Sequence, residues 1–228
     1  MILRQPAEGL RANADTLLLA ASVETPSGAR LLEAGCGAGG ALLSVAARAA
    51  DVRLLGVERD AGLAALAAAN AAANGWAERV EIRGGDVLKL GEIGTFEGVF
   101  FNPPFDRAEE GRLPAPARRS ARMEETPIGT WVAALADRLK GGATLTLIHR
   151  AAALADILAA LEGRLGGVEI MPIRPRAGAP AKRVLVRARK GSRAPLRLYR
   201  GLDLHDTSGA KFSPEADALF CGTALDWS

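Results

Sequence analysis

The sequence predicts an α/β fold with a doubly wound, mainly parallel sheet of seven strands that ends in an antiparallel C-terminal pair. Two observations indicate this fold class. Short apolar runs alternate with Ala/Leu-rich helical stretches, a pattern typical of βαβ units with parallel strands. Polar residues that can bind ligands follow the ends of successive apolar runs, where a parallel sheet gathers such groups. The length of 228 residues suits one domain of this kind.

The first half of the chain alternates four strands with two helices. Apolar runs predict strands over 29–35, 52–58, 79–86 and 95–102. Helices are expected over 40–50 and 61–75, the second ending at Asn-Gly, a common helix stop. Because parallel strands end at one edge of a sheet, the residues that close these runs are expected to lie near one another.

The second half adds the remaining elements. Pro127 lies in the first turn of a helix expected over 127–140, and two glycines follow it. A strand over 143–149, a helix over 151–165 and an antiparallel pair over 168–173 and 182–189 complete the sheet. We expect a single domain, 1–228, with an N-terminal lid segment 1–28, a core 29–190 and a C-terminal extension 191–228.

Composition narrows the class of protein. Hydrophobic residues make up 49% and charged residues 24% of the chain, which is ordinary for a globular protein. No apolar run approaches the roughly 18–20 residues of a membrane helix, and the N-terminus lacks a signal-peptide pattern. Cys36 and Cys221 have no metal-ligand spacing. We therefore expect a reduced, cytoplasmic protein with no metal site and no membrane partner.

Basic residues are concentrated in two segments. Residues 107–122 carry five arginines against two glutamates, and residues 174–200 carry ten Arg or Lys and no acidic residue. The formal net charge is +3 and the sequence pI about 9.2. Such clusters fit contact with a polyanion, so both segments are candidate nucleic-acid contacts.

A glycine-rich turn, EAGCGAGG at 33–40, follows the first predicted strand. Glycines allow a tight turn and close approach of a ligand to the backbone. The string also satisfies a dinucleotide-binding pattern through Gly35, Gly37 and Gly40. Glu58 ends the second strand, where its carboxylate can accept both hydroxyls of a ribose. These features predict an adenosine-containing cofactor and leave NAD and S-adenosylmethionine both open.

Two carboxylates favour S-adenosylmethionine over NAD. Glu33 precedes the first glycine, where it would repel a pyrophosphate and attract the ammonium of a methionine moiety. Asp86 follows the third strand and can accept a hydrogen bond from the adenine amino group. An NAD-dependent reductase remains a remote alternative.

The stretch FFNPPFD at 100–106 is the most specific signal for catalysis. Asn102 ends the fourth strand, and Pro103 and Pro104 offer carbonyls without backbone donors. Phe105 adds a flat face on which a planar group can stack. Two acceptors can hold both hydrogens of a conjugated NH₂ group and aim its nitrogen at an electrophile. Neither His149 nor His205 is expected to take part.

These motifs resemble the class I S-adenosylmethionine-dependent methyltransferases with a Rossmann-like fold, and among them the bacterial family of valine-tRNA adenine-N6 methyltransferases. The resemblance covers almost the whole chain. Its opening matches Gln5, Gly9, Leu10, Arg11, Asp15 and the leucines at 17–19, and it continues through EAGCGAGG, NPPF, 121–131, 139–151, 175–191 and 201–222. Two positions depart from the family pattern: Leu10 replaces an aromatic residue, and Glu33 replaces the commoner Asp.

The resemblance implies N6-methylation of an adenine in a tRNA anticodon loop, with S-adenosylmethionine as cofactor. It implies that the cofactor is held by Glu33, Gly35, Gly37, Gly39, Glu58, Asp86 and Asn102, with Asp15 contacting it or closing the pocket. Asn102, Pro103, Pro104 and Phe105 would hold and activate the amine.

Other substrates use the same chemistry. An N5-glutamine methyltransferase acting on a protein, a DNA adenine methyltransferase and an enzyme for a small-molecule amine all fit the NPPF motif. Only about 28 residues precede the first strand, too few for the helical domain usual in glutamine methyltransferases. A separate domain for DNA recognition also does not fit. The basic C-terminal segment favours RNA, whereas the intact motifs argue against a nonenzymatic RNA-binding protein.

Overall fold

The computed structural model describes residues 1–7, 11–103, 126–206 and 210–227. Pro104, Phe105 and the basic segment 107–122 lie outside these ranges, so the predictions made for them stay predictions. The helices and strands follow one another in chain order: α1 Ala14–Ser22, β1 Arg30–Ala34, α2 Gly40–Arg48, β2 Arg53–Glu58, α3 Ala61–Ala73, β3 Val80–Gly84, β4 Phe96–Phe101, α4 Ile128–Ala136, β5 Leu139–Arg150, α5 Leu154–Leu161, β6 Leu165–Arg176, β7 Arg183–Lys190, β8 Arg197–Leu198, β9 Leu202–His205 and α6 Pro214–Phe220.

Nine strands in the described ranges form one sheet in the order β3-β2-β1-β4-β5-β7-β6-β8, and β9 also pairs with β6. The first five of these strands are parallel. β7 is antiparallel to both of its neighbours, β5 and β6. The predicted α/β fold with an antiparallel C-terminal pair is confirmed.

Two short strands, β8 and β9, were not predicted. Both pair in parallel with β6 and extend the sheet beyond the seven expected strands. β8 has only two residues, Arg197 and Leu198. β9 is the four-residue stretch LDLH, too short to give a periodic signal.

Two predicted helix ends were too late. The helix expected to reach residue 140 ends at Ala136, and Leu139 already pairs with Phe96 in β4. The helix expected over 151–165 begins with a 3₁₀ turn, Ala151–Ala153, and ends at Leu161. Lys190 helps to fix the first boundary, because its Nζ donates to the carbonyls of Ala136 and Leu139 at 2.9 and 2.8 Å.

Side-chain hydrogen bonds mark the start of several helices. At the start of α1, Thr16 N donates to Asn13 Oδ1 at 3.2 Å, and Asn13 N donates to Thr16 Oγ1 at 3.2 Å. Asp60 accepts from Leu63 N at the start of α3. Each cap satisfies backbone donors that the first helical turn leaves free.

The sheet separates two apolar cores. Successive strand residues point to opposite faces, so Phe100 faces the core formed with α1 and α2, while Phe101 faces the core formed with α4 and α5. Both phenylalanine rings are fully buried. The strand that leads to Asn102 is therefore held firmly from both sides. Among the described helices, none combines the length and apolarity needed to span a membrane.

Candidate active site

A cavity of about 380 Å³ opens at the carboxyl ends of β1, β2 and β4. Most of the predicted site residues that the structure describes line it, and these are Asp15, Glu33, Gly35, Gly37, Glu58, Asp86, Asn102 and Pro103. Gly39 does not line the cavity. It lies at the N-terminal cap of α2 with φ 89°, a conformation that favours glycine.

Glu33 is the most unusual group in the cavity wall. Its side chain is 4% exposed, and its Oε2 has no hydrogen-bond partner. Burial raises the pKa of the Glu33 carboxyl well above its ordinary value, and the charge of Glu58 acts in the same direction. A buried carboxylate without a partner is costly, and a nearby cation would favour its charged form. The position therefore suits the ammonium of a methionine moiety.

Glu58 holds the glycine-rich loop in place. Its Oε2 accepts from Gly37 N at 2.8 Å and its Oε1 from Asp60 N at 2.9 Å. Gly35 N also donates to the carbonyl of Val57 at 2.8 Å. Because a carboxylate oxygen has more than one acceptor position, Glu58 can still bind hydroxyl groups from the cavity.

Asp86 and Asp15 have partners within the protein. Asp86 Oδ1 accepts from Leu88 N at 3.0 Å, and its Oδ2 lies 3.7 Å from Lys89 Nζ. Asp15 Oδ2 accepts from Arg183 Nε at 3.0 Å. The side chains of this second pair are only 14% and 19% exposed. Asp15 therefore ties the first turn of α1 to the start of β7 at the cavity wall.

Asn102 follows β4 directly and presents an open acceptor. Its Oδ1 is buried and has no hydrogen-bond partner. Pro103 is buried beside it and has no backbone N–H. Pro104 and Phe105 lie outside the described residues. Asn102 Oδ1 therefore offers an acceptor to a group in the cavity, and Pro103 beside it contributes no backbone donor.

Trp131 is a wall residue that the sequence did not single out. Its ring stacks on that of Phe101, with centroids 5.7 Å apart and planes 6° apart. Its Nε1–H is buried without an acceptor. The residue lies in the predicted helix at a position that looks like ordinary core, so its part in the cavity gave no separate signal.

Asn70 is a second residue that the sequence did not single out. It is fully buried in α3. Its Oδ1 accepts from Arg4 N at 2.9 Å, and its Nδ2 donates to Arg4 O at 2.8 Å and to Ala38 O at 3.0 Å. Asn74 holds Ile2 through a similar pair of bonds at 2.8 and 2.7 Å. The two asparagines thus fix the N-terminal segment, whose Leu3 and Gln5 line the cavity.

Neither histidine lines the cavity among the described residues. His149 is buried at the end of β5, and burial lowers its pKa. His205 stacks on Phe212 with ring centroids 5.5 Å apart. The cavity wall therefore contains acceptors and carboxylates, but no imidazole.

Much of the basic segment 174–200 is paired within the protein. Arg187 contacts Glu24 at 3.1 Å and Glu169 at 2.6 Å. Arg189 contacts Glu24 at 3.0 Å. Arg174 contacts Asp203 at 2.5 Å. The positive charge that the sequence assigned to this segment as a whole is therefore partly neutralised by internal carboxylates.

Residues 11–118 match the methyltransferase small domain family. A tRNA1(Val) (adenine(37)-N6)-methyltransferase of Porphyromonas gingivalis is 33% identical over 189 residues, which are 77% of this chain and 73% of that protein. One of Yersinia enterocolitica is 29% identical over 96% of this chain and 87% of its own length. The match to one of Vibrio vulnificus, at 32% identity, spans about half (49%) of that relative and 52% of this chain.

Solved structures share the fold. A protein of Agrobacterium tumefaciens described as a predicted O-methyltransferase superposes with a TM-score of 0.78 at 30% identity, covering 93% of this chain and 98% of its own. An S-adenosylmethionine-dependent O-methyltransferase of Thermotoga maritima superposes with a TM-score of 0.55 at 18% identity, covering 78% of this chain and 64% of its own.

Proposed function

The chain belongs to the class I methyltransferase family that contains the bacterial tRNA1(Val) (adenine(37)-N6)-methyltransferases, and from this premise we propose that it methylates the N6 amine of an adenine in RNA. S-adenosylmethionine, the cofactor of this class, supplies an electrophilic methyl group when bound. The relatives named for tRNA support RNA as the substrate class. We propose a tRNA anticodon loop as the target, and the cytoplasm as the place of action.

The residues around the cavity fit the cofactor. Glu33 Oε2 would accept from its ammonium group and so gain the partner that it lacks. Glu58 would accept from the ribose hydroxyls with its remaining lone pairs, and Asp86 would accept from the adenine amine. Gly35, Gly37 and Gly39 would allow the loop to approach the cofactor closely.

Two further residues border the cofactor. Asp15 would close the wall through its ion pair with Arg183, and Asn102 would lie between cofactor and substrate.

The open acceptor of Asn102 is the observation that carries the proposal. An adenine amine is a weak nucleophile because its lone pair is delocalised into the ring. Hydrogen bonds from its two hydrogens to Asn102 Oδ1 and to a proline carbonyl would localise that lone pair and orient it. Positioning of this kind lowers the barrier to a displacement reaction. Pro104 and Phe105 are proposed to complete the contact, with Phe105 stacking on the base.

The cavity suits an amine better than a hydroxyl group. A hydroxyl must lose its proton during methyl transfer, which requires a positioned base. Among the described residues no histidine lines the cavity. Of the four carboxylates that these residues place in its wall, Asp15, Glu58 and Asp86 accept from protein donors, and Glu33 is the group proposed to bind the cofactor ammonium. Methyl transfer to a neutral aromatic amine, by contrast, first gives an N-methylated cation, which is acidic and then releases a proton readily to leave the neutral methylamine. The same argument admits a glutamine amide, which we keep as the second candidate substrate.

An RNA substrate requires the target base to leave its stack. Enzymes that act on a base extrude the nucleotide into a pocket and replace the lost stacking with side chains. We propose that the whole chain, 1–228, acts as one domain: 1–28 covers the cofactor, 29–190 forms the core and 191–228 packs as an extension. Basic residues in 107–122 and 174–200 would contact phosphates.

Nucleoside mass spectrometry tests this function. Bulk tRNA from a strain lacking the gene is incubated with pure protein and S-adenosylmethionine. We expect new N6-methyladenine with the wild-type protein and none with Asn102→Ala, whose cofactor affinity should change by less than about threefold. New methylation that survives Asn102→Ala would overturn the role of Asn102. No methylated nucleoside, despite intact cofactor binding, would favour a protein glutamine or a small amine instead.

A further inference from the structure

We propose that the RNA backbone docks on the turn between β6 and β7, through the two exposed cations that flank it, Arg176 and Lys182. We call this pair the hairpin rim. The inference rests on the proposed RNA substrate and adds the position of the phosphate contacts. It also replaces the broader expectation that all of segment 174–200 binds RNA.

Internal contacts occupy most of the other basic residues in segment 174–200, so those residues are poor candidates for binding phosphate. The guanidinium groups of Arg174, Arg183, Arg187 and Arg189 each contact a carboxylate. Lys190 Nζ donates to two backbone carbonyls. Arg176 and Lys182 are exposed, and no ion pair to either is formed by another residue of the described ranges. An exposed cation without a carboxylate partner can meet a phosphate at little cost.

The sheet topology places the hairpin rim beside the candidate active site. Lys182 N donates to Ile173 O at 3.0 Å, and Ala151 N donates to Lys182 O at 3.0 Å. Lys182 therefore lies at the carboxyl ends of β5 and β6. Asn102 follows β4, whose Phe101 pairs with Leu147 of β5. The lateral separation from Asn102 is two strand spacings, about 10 Å, for Lys182 beside β7, and three spacings, about 14 Å, for Arg176 at the end of β6. Both distances place the rim within reach of phosphates that flank a base held at Asn102.

Two further cations lie near this end of the sheet. Arg150 stands opposite Arg183 in the ladder between β5 and β7, and Arg11 lines the cavity mouth. Two carboxylates face these cations: Asp15 of α1 pairs with Arg183, and Asp156 lies in the first turn of α5. A polyanion that crosses the ends of β5, β7 and β6 would meet the rim and then the cavity.

The opposite, amino-terminal end of β6 offers a matched control. Arg164 and Arg193 are exposed and lie at the start of β6, where an added Cβ on Gly166 would touch Ser192 O. β6 has 12 residues, so at about 3.3 Å per residue this end is roughly 35 Å from the hairpin rim. That distance is several Debye lengths at physiological salt. Removing two charges there changes the net charge equally without changing the rim.

The experiment compares two double variants, Arg176→Ala with Lys182→Ala and Arg164→Ala with Arg193→Ala. Affinity for tRNA is measured from 50 to 200 mM salt. Each lost phosphate contact lowers the slope of log K against log salt by about 0.7. We expect the rim variant to lose about 1.4 from the slope and to bind at least about tenfold more weakly at the lowest salt. The control variant should match wild type.

Cofactor affinity and melting temperature, measured for both variants, should equal those of the wild type, since neither pair lines the cavity. Equal effects of the two variants, or an unchanged slope for the rim variant, would overturn the docking surface while leaving the proposed function intact. A wild-type protein that binds no tRNA would overturn the proposed function, and the docking surface with it.

Discussion

At the scale of single residues, three buried polar atoms without partners belong to the wall of one cavity. They are Glu33 Oε2, Asn102 Oδ1 and Trp131 Nε1. An unsatisfied buried polar group destabilises a folded protein by about 1–3 kcal/mol, so three such groups in one cavity wall lower the stability of the ligand-free protein. Their convergence indicates a wall shaped for ligands that supply the missing partners.

The first prediction concerns Glu33. Its folded-state pKa is raised by burial, so its contribution to stability is full below the unfolded pKa and is lost as the pH rises through the folded pKa. Glu33→Gln should therefore raise the melting temperature of the cofactor-free protein at pH 7 and remove this part of the pH dependence. The same variant should bind S-adenosylmethionine about 10–100-fold more weakly, since a charged hydrogen bond contributes about 1.5–3 kcal/mol.

Thermal unfolding from pH 4.5 to 8 and calorimetric titration with the cofactor measure both effects. Glu81→Gln is the control, because that carboxylate is exposed on β3 and should change neither. If Glu33→Gln lowered the melting temperature at pH 7 and bound cofactor normally, Glu33 would be a structural group.

The sequence indicated which polar residues gather at the carboxyl ends of the strands, because each of them closes or directly follows an apolar run. Glu33, Glu58, Asp86 and Asn102 line the cavity as predicted, although their roles stay predictions. It missed Trp131 because a tryptophan in an amphipathic helix is indistinguishable from core without knowing which face meets the cavity. It also could not foresee that Asp15 pairs with Arg183, residues 168 positions apart.

At the scale of elements, α3 connects the N-terminal segment to the glycine-rich loop. Asn70 and Asn74, one helical turn apart, hold the backbone of Arg4 and Ile2. Only Asn70 also donates to Ala38, between the loop glycines. Asn74 donates instead to Asn70 O at 2.8 Å, so of the two asparagines Asn70 is the one tied to the loop on the cofactor side of the cavity.

The second prediction uses this difference. Asn70→Ser shortens the side chain and breaks the bond to Ala38. Asn74→Ser disturbs the N-terminal clamp and the bond to Asn70 O but leaves the bond to Ala38 in place. We expect Asn70→Ser to weaken cofactor binding about tenfold, consistent with loss of one buried hydrogen bond of about 1–2 kcal/mol. Asn74→Ser should weaken it by less than threefold.

Hydrogen exchange of residues 2–5 provides the companion measurement, since both variants should exchange faster there. If both weakened cofactor binding equally, the N-terminal clamp rather than the bond to Ala38 would govern affinity. If neither did, α3 would have no part in the cofactor site.

The boundary between α4 and β5 is one that the local sequence pattern does not decide. Gly141 and Gly142 were interpreted as a helix stop, yet both lie inside β5. Gly142 has φ 78°, and the register with β4 shifts between Phe96 and Gly98. Glycines mark bulges as well as helix ends, and only the pairing of Leu139 with Phe96 decides between them.

At the scale of the whole molecule, Arg187 connects three distant parts of the chain. Its guanidinium contacts Glu24 after α1 and Glu169 in β6, and lies 4.4 Å from the ring centroid of Trp227. Leu225 N donates to Ala21 O at 2.8 Å beside it. The C-terminal residues are thereby fixed against α1 and the sheet.

The third prediction compares two arginines that share Glu24. Arg187 is 11% exposed and Arg189 is 43% exposed. Removing one partner of a buried ion pair costs about 3–5 kcal/mol, whereas an exposed pair contributes about 0–1 kcal/mol. Arg187→Ala should therefore lower the free energy of unfolding by about 3 kcal/mol, and Arg189→Ala by less than about 1 kcal/mol.

Urea unfolding monitored by circular dichroism measures both values. The salt slope of tRNA binding should be the same in the two variants, because neither arginine belongs to the hairpin rim. Comparable destabilisation by the two substitutions would argue against a structural role for the buried pair.

The position of β7 between β5 and β6 has a consequence for synthesis on the ribosome. β6 emerges before β7, yet β7 supplies the edge on which β6 pairs. The nascent chain can complete β1 through β5 while β6 still has no β7 to pair with. Its apolar residues, among them Ile170, Met171 and Ile173, then stay exposed until the following strand is made. A stalled or truncated product ending near residue 180 should therefore be recognised by chaperones far more readily than the finished chain.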